Sequence, residues 1–83
     1  MSATLDDLTR RARERRQLPP PAERRAIRDA AGCSLDELAD VLNVTREGVR
    51  LWETGQREPR RTNLTSYLEA LRALKSAVDE GAA

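Results

Sequence analysis

The 83-residue chain has no histidine, no phenylalanine, one cysteine, one tryptophan and one tyrosine. Each scarcity removes a class of function. Without histidine the commonest general base and the commonest metal ligand are both missing. A single thiol, Cys33, builds neither an intrachain disulfide nor a cysteine metal site. No catalytic constellation of the usual kind is present, so no catalytic residue, metal or cofactor is expected and the chain is not expected to be an enzyme. No stretch is long or apolar enough to span a membrane, and the N-terminus carries no secretory apolar segment; a cytoplasmic protein is the expectation. Runs of β-branched residues with period two are also lacking, which argues against a sheet. The length suits one domain with one small core.

Arginine is abundant: it supplies fourteen of the fifteen basic residues, although the formal net charge is only +1. From Arg10 to Arg28 there are eight arginines against two glutamates, and from Thr45 to Arg61 five against three. Arginine suits bidentate contacts to phosphate and guanine better than lysine does. A GC-rich genome, which favours arginine and alanine codons, explains the same bias equally well.

Apolar residues recur at spacings of three and four, so the chain is expected to be all-helical. A first helix is expected over 4–17, opened by Thr4 and Asp7 in the manner of a capping box. Its thin apolar stripe, Leu5, Leu8 and Ala12, must dock on something, because so polar a helix is marginal alone. Pro19 and Pro20 break the chain, and Pro21 suits the first position of the next helix. That helix should run to about Ala31 with Ile27, Ala30 and Ala31 inward, and Gly32 ending it. Ser34-Leu35-Asp36-Glu37 is a full capping box. The helix it starts carries Leu35, Leu38, Ala39 and Leu42 and ends near Asn43, which tolerates left-handed backbone angles. Val44 follows as a plug. Thr45 caps the next helix, with Val49 and Trp52 inward and Gly55 closing it. GQREPRR, 55–61, reads as a polar connector. Thr62 or Asn63 caps a last helix to about 79, whose Leu64, Leu68, Leu71, Leu74 and Val78 form a broad apolar stripe with Tyr67 alongside. Residues 80–83 are expected to fray.

Two short helices joined by Asn43-Val44, from Ser34 to Thr54, have the spacing of a helix-turn-helix, in which the second helix enters the DNA major groove. The segment IRDAAGCSLDELADVLNVTREGVRLWETGQREP resembles the Cro/C1-type (XRE-like) helix-turn-helix family. The resemblance lies in the AG before the motif, the ELA inside its first helix and the V-x-x-W-E-x-G-x-R-x-P run, and it extends over about 27–74. It implies a compact four- to five-helix, lambda-repressor-like DNA-binding domain, here with an extra N-terminal helix. It also implies transcriptional repression and a recognition helix at about 45–54. The domain reading is then a basic helix and proline-rich break over 1–20, a DNA-binding domain over 21–79 with its motif at 34–54, and a tail over 80–83.

If Val49 and Trp52 point inward, Arg46, Glu47, Arg50 and Thr54 lie on the opposite surface, with Leu51 flanking it. Arg46 and Arg50 are one turn apart and can address neighbouring bases, or a base and a phosphate. Arginine to guanine is the commonest specific pairing, and glutamate accepts from the cytosine amine. The bland alternative is a solvated charged face with an Arg–Glu pair worth little. Leu51 departs from the family, which usually has a polar residue there; it either touches a thymine methyl or leans on the core. Leu35 departs too, where the family often has a phosphate-binding glutamine; Ser34 and the amides beside it remain candidates for phosphate. Arg57, Arg60 and Arg61 lie where the family's connector runs beside the sugar-phosphate backbone, with Thr45, Thr54, Gln56 and Asn63 as further phosphate candidates. Such contacts position a protein without reading sequence and make binding salt-dependent. The resemblance also implies an ion pair between Glu53 and Arg28, read as structural. Cys33 is read as a small apolar residue. Gly48, costly in a helix interior, is expected to permit close approach to the preceding helix or to the DNA backbone. The arginine-rich first helix is expected to dock on the domain with some phosphate contact; a dimer contact and a solvated arm are the alternatives.

The functional expectation is a sequence-specific, double-stranded-DNA-binding repressor of the Cro type, of phage or bacterial origin, acting by operator occupancy. Its default form is a symmetric homodimer, with a monomer as alternative; no small-molecule ligand is expected. The rival is a protein-interaction module such as an antitoxin or adaptor, which an exposed row of Leu71, Leu74 and Val78 would favour.

Overall fold

In the computed structural model, which describes residues 3–81, the chain forms five helices and, among those residues, no strand. Helix α1 spans Leu5–Gln17, α2 Pro21–Ala30, α3 Leu35–Leu42, α4 Arg46–Thr54 and α5 Thr62–Gly81.

The boundaries follow from local chemistry. Thr4 and Ser34 both make reciprocal capping boxes: the Thr4 hydroxyl accepts from the Asp7 amide at 3.1 Å, and the Ser34 hydroxyl from the Glu37 amide at 3.0 Å. The backbone hydrogen bonds returned to Asp7 and Glu37 hold both carboxyls below their ordinary pKa. Pro21 opens α2 at its first position, where its missing N–H costs nothing. Asn43 ends α3 at φ 55°, and Gly55 ends α4 at φ 77°. Arg61 enters α5 at φ 52°, a left-handed conformation that costs a non-glycine residue roughly 1–2 kcal/mol; nothing in its residue type foretold that. Helix α5 continues through Gly81, so Glu80 and Gly81 of the expected tail are helical, while Ala82 and Ala83 lie outside the described residues.

The core gathers Leu38 and Ala39 of α3, Val49 and Trp52 of α4, and Tyr67 and Leu71 of α5, with Ile27, Leu35, Leu42 and Val44 packed against it from half-buried positions. The Trp52 and Tyr67 rings meet at 4.9 Å, tilted by 42°. Helix α5 carries the centre of this core: Leu64, Tyr67, Leu68 and Leu71 are all buried. Helices α2 and α3 pack on both α4 and α5, whereas α1 packs on α5.

Two inward faces differ from expectation. On α2, Ala30 is exposed and Ala31 half-buried, and the buried residues are Arg24 and Arg28. On α1 the apolar stripe faces solvent: Leu5 is 78% and Leu8 57% exposed, and Ala12 is exposed too. The half-buried positions are Asp7, Arg11, Glu14 and Leu18. Leu18, just past the helix, packs against the core. It therefore decides which face turns inward, and the positions in phase with it happen to be polar.

Candidate nucleic-acid interface

Helix α4 is held on one side and free on the other. Val49 and Trp52 bury its inner face, and Thr45 caps its start by accepting from the Gly48 amide at 3.0 Å. At its far end the Arg57 amide donates to the Leu51 carbonyl at 3.3 Å, which closes the last turn and fixes where the connector departs. Arg46, Glu47 and Arg50 are exposed on the outer face, and Leu51 is half-buried at its edge.

The charged groups of this face are lightly tethered. Arg46 Nε lies 3.8 Å from Asp36 Oδ1 on α3, with both side chains more than half exposed. Arg50 Nε donates to Glu47 one turn back. Exposed pairs of this kind contribute at most about 1 kcal/mol, so a stronger anionic partner can displace them. The Glu47 pairing engages Arg50 through Nε, and its two terminal amines have no protein partner among the described residues.

The phosphate candidates surround this face unequally. Thr45, Gln56, Arg57, Arg60, Arg61 and Asn63 are all exposed. Thr45, Arg57, Arg60 and Asn63 line an open groove of about 480 Å³ between the start of α4 and the connector, with Trp52, Glu58 and Pro59 also in its wall. The Thr54 hydroxyl donates to the Leu51 carbonyl at 3.1 Å, so its proton is already committed. Ser34 is exposed, but its hydroxyl accepts from Glu37 and its amide donates to Glu37 Oε1 at 3.0 Å. Asp36 and Glu37 stand in that first turn; two carboxylates there oppose an incoming anion. Leu35 packs against the core, which accounts for an apolar residue at that position. Gly48 approaches neither α3 nor any other distant element: a Cβ there would meet the Thr45 hydroxyl at 3.2 Å. The glycine thus relieves crowding over the N-cap.

Behind the face lies a buried polar cluster. Arg28 grips Glu53 with both arms of its guanidinium, Nε to Oε2 at 2.5 Å and Nη2 to Oε1 at 3.0 Å, and its Nη1 donates to the Cys33 carbonyl at 2.8 Å. This is the ion pair that the resemblance implied. The Glu53 contact holds the Arg28 pKa above its already high ordinary value. Arg24, one turn earlier and 5% exposed, was missed by the sequence reading. Its Nε donates to the Pro19 carbonyl at 2.6 Å, and Nη1 donates to the Trp52 carbonyl at 3.0 Å and to Glu58 at 3.2 Å. The available signal was the four-residue spacing of Arg24 and Arg28, which puts both on one face of α2. The half-buried Cys33 thiol is pushed above its ordinary pKa by burial, the opposite of what a reactive thiolate needs.

No group of histidine, cysteine, aspartate and glutamate suited to a metal occurs among the described residues, and no helix of theirs is long and apolar enough to cross a membrane. In comparison with known proteins, the family model described as Helix-turn-helix matches residues 25–75, the stretch from mid-α2 through most of α5. Curated proteins and solved structures gave no match. The family is a DNA-binding, non-enzymatic one whose partner is double-stranded DNA. The match spans more than half of the chain and contains the whole α3–α4 unit, and on that ground the chain belongs to the Cro/C1-type helix-turn-helix family.

Proposed function

We propose that the protein is a sequence-specific transcriptional regulator, a Cro-like repressor of phage or bacterial origin, that lays α4 in the major groove and blocks transcription by occupying an operator. The observation that carries this reading is the division of α4 into a locked inner face, Val49 and Trp52, and an exposed outer face bearing Arg46, Glu47 and Arg50. A groove about 12 Å wide admits one helix with those side chains against base edges. Arg46, Glu47 and Arg50 read bases, with Leu51 at the margin for a thymine methyl. Thr45, Gln56, Arg57, Arg60, Arg61 and Asn63 hold phosphates; Thr54 stands behind them because its hydroxyl proton is already committed, and Ser34 because Asp36 and Glu37 crowd the turn that it caps. Residues 21–79 form the DNA-binding unit and 1–20 an added basic arm. A symmetric dimer on half-sites roughly 34 Å apart fits this docking mode.

Titration against a random duplex library at two salt concentrations tests the reading. Selection of one motif at nanomolar concentration supports it, and no binding at low salt sinks it. Within that assay Arg46→Ala relaxes preference at one base position, whereas Arg60→Ala weakens all sequences alike and flattens the salt slope by about 0.9. Identical behaviour of the two variants overturns the sorting of contacts.

A protein-interaction module is the second reading. Its expected signature, an exposed row of Leu71, Leu74 and Val78, is not met: Leu71 is buried and the other two are half-buried. The exposed large apolar residues are Leu5 and Leu8 on α1 and Val41 on α3, and these are what favour that reading. Loss of a partner protein on Leu8→Glu, with DNA selection absent in the parent, would establish it.

A further inference from the structure

Glu58 stands in the middle of the connector's cationic run, between Arg57 and Arg60. A free carboxylate there would pair with those arginines or repel a phosphate. Both of its oxygens are instead taken by Arg24, Nη1 to Oε1 at 3.2 Å and Nη2 to Oε2 at 3.0 Å. The same guanidinium holds the Trp52 carbonyl in the last turn of α4 and the Pro19 carbonyl before α2. Arg24 is buried, so it is not itself presented to a nucleic acid. Pro59, next to Glu58, is buried as well.

We propose that Arg24 is a positioning residue for DNA binding: it withholds the Glu58 carboxylate from the connector's arginines and from phosphate, and it ties the connector to the end of α4. The proposal rests on the reading of the connector as a phosphate-contacting segment. Charge alone makes the point. The Glu58 side chain is 56% exposed and shares the groove with Arg57 and Arg60, so it is the pairing with Arg24, not burial, that balances its charge and leaves the edge of Arg57, Arg60 and Arg61 net cationic. With Glu58 released, the carboxylate competes for one of them, and one phosphate contact is lost.

The test is the salt dependence of binding to a random-sequence duplex. The proteins compared are the full chain, Arg24→Met, Glu58→Gln and the double variant. Arg24→Met flattens the slope of log affinity against log salt by about 0.9, the equivalent of one phosphate. Glu58→Gln alone leaves the slope at least as steep as in the parent. The double variant returns to the parental slope, because no carboxylate remains to compete. A merely structural role for Arg24 predicts a defect that Glu58→Gln does not relieve, and that result, or an unchanged slope in Arg24→Met, overturns the proposal. Should Arg24→Met fail to fold by circular dichroism, Arg24→Lys with and without Glu58→Gln carries the same comparison. Lysine keeps the charge but not the fork, so a smaller flattening, relieved by Glu58→Gln, is expected; no flattening, or flattening without relief, again overturns it. Failure of the parent to bind duplex at low salt sinks the DNA reading itself. Parental binding with no change in these variants sinks only the role of Arg24.

Discussion

Two seams of this molecule are polar, and they are built differently. Between α2 and α4 the contact is the Arg28–Glu53 fork, with side chains 10% and 4% exposed, and Arg24 beside it. Between α1 and α5 it is a Thr65 hydroxyl donating to Glu14 at 2.8 Å and an Arg72 amine donating to Gln17, the latter on the exposed surface. No residue of α1 is buried. Polarity is common to both seams; a buried, paired set of charges is not. In the first, Arg28, Glu53 and Arg24 have lost most of their water and depend on their partners. In the second, desolvation is partial: the Arg72–Gln17 contact lies in water, whereas the Glu14 side chain is 12% exposed and Arg11 Nε is buried with no hydrogen-bond partner among the described residues. The first seam therefore fixes the angle of α4, and with it the proposed reading face, whereas the second only parks a helix.

The largest expected effect breaks the first seam from one side. Glu53→Gln leaves the buried Arg28 guanidinium opposite a neutral amide, with only the half-exposed Asp29 carboxylate at 3.4 Å, and Arg28→Met leaves the Glu53 carboxylate stranded. Either change is expected to cost about 3–5 kcal/mol of unfolding free energy, measured by urea denaturation, because a lone buried charge is much worse than a pair. Replacing both partners together with apolar residues of similar volume should cost less than either single change. If each single variant loses under about 1 kcal/mol, the two seams are energetically alike and the contrast fails.

A smaller effect probes a polar group that the cluster leaves out. The Tyr67 hydroxyl is buried and finds no hydrogen-bond partner among the described residues. Burial raises its pKa far above the ordinary value near 10. Tyr67→Phe is expected to raise unfolding free energy on the order of 1 kcal/mol at neutral pH, since a desolvated, unpaired hydroxyl is a cost. The sign with pH follows from which state loses its proton first. Above about pH 10 the unfolded chain ionises the phenol while the fold keeps it protonated. The parent therefore loses stability as pH rises, and the phenylalanine variant is spared that part. A gap between the two that stays constant from pH 8 to about pH 11 would show that the hydroxyl is solvated in the fold.

The same contrast explains what could be read from the sequence. Most caps and stops were legible, because the Thr4, Ser34, Thr45, Asn43 and Gly55 effects act within a few residues; Thr62 and Asn63, expected to cap α5, are instead its first two helical residues. The α4 faces were legible too, since Val49 and Trp52 are large, apolar and three apart. The inward faces of α1 and α2 were not. An apolar count favours Leu5 and Leu8, yet α1 is oriented by Leu18 beyond its end, where the prolines redirect the chain. On α2, Ala30 looks like core by type, but Arg24 and Arg28 find acceptors on α4 and the connector that are distant in sequence. Arginine burial is decided by tertiary partners, and a single sequence does not show those partners meeting. For Arg28 the family resemblance supplied the partner; for Arg24 nothing did.

The smallest effect tests the second seam. Glu14→Ala with Gln17→Ala removes both side-chain links from α1 to α5, while Leu18 keeps its place against the core. The exposed Arg72–Gln17 bond is worth little and the part-buried Thr65–Glu14 bond about 1 kcal/mol, so the pair should cost about 1 kcal/mol in global unfolding. Global stability is the wrong place to look for the difference. A helix with an exposed apolar stripe and no buried residue is held by its docking alone, and a peptide of its length is marginal once released. Loosening the dock should therefore raise amide hydrogen exchange along Leu5–Gln17 and leave protection in α3, α4 and α5 unchanged, the pattern of a unit that opens by itself. Equal acceleration in all five helices would instead mean that α1 belongs to the cooperative core, and that water does not substitute for Glu14 and Gln17 at the seam.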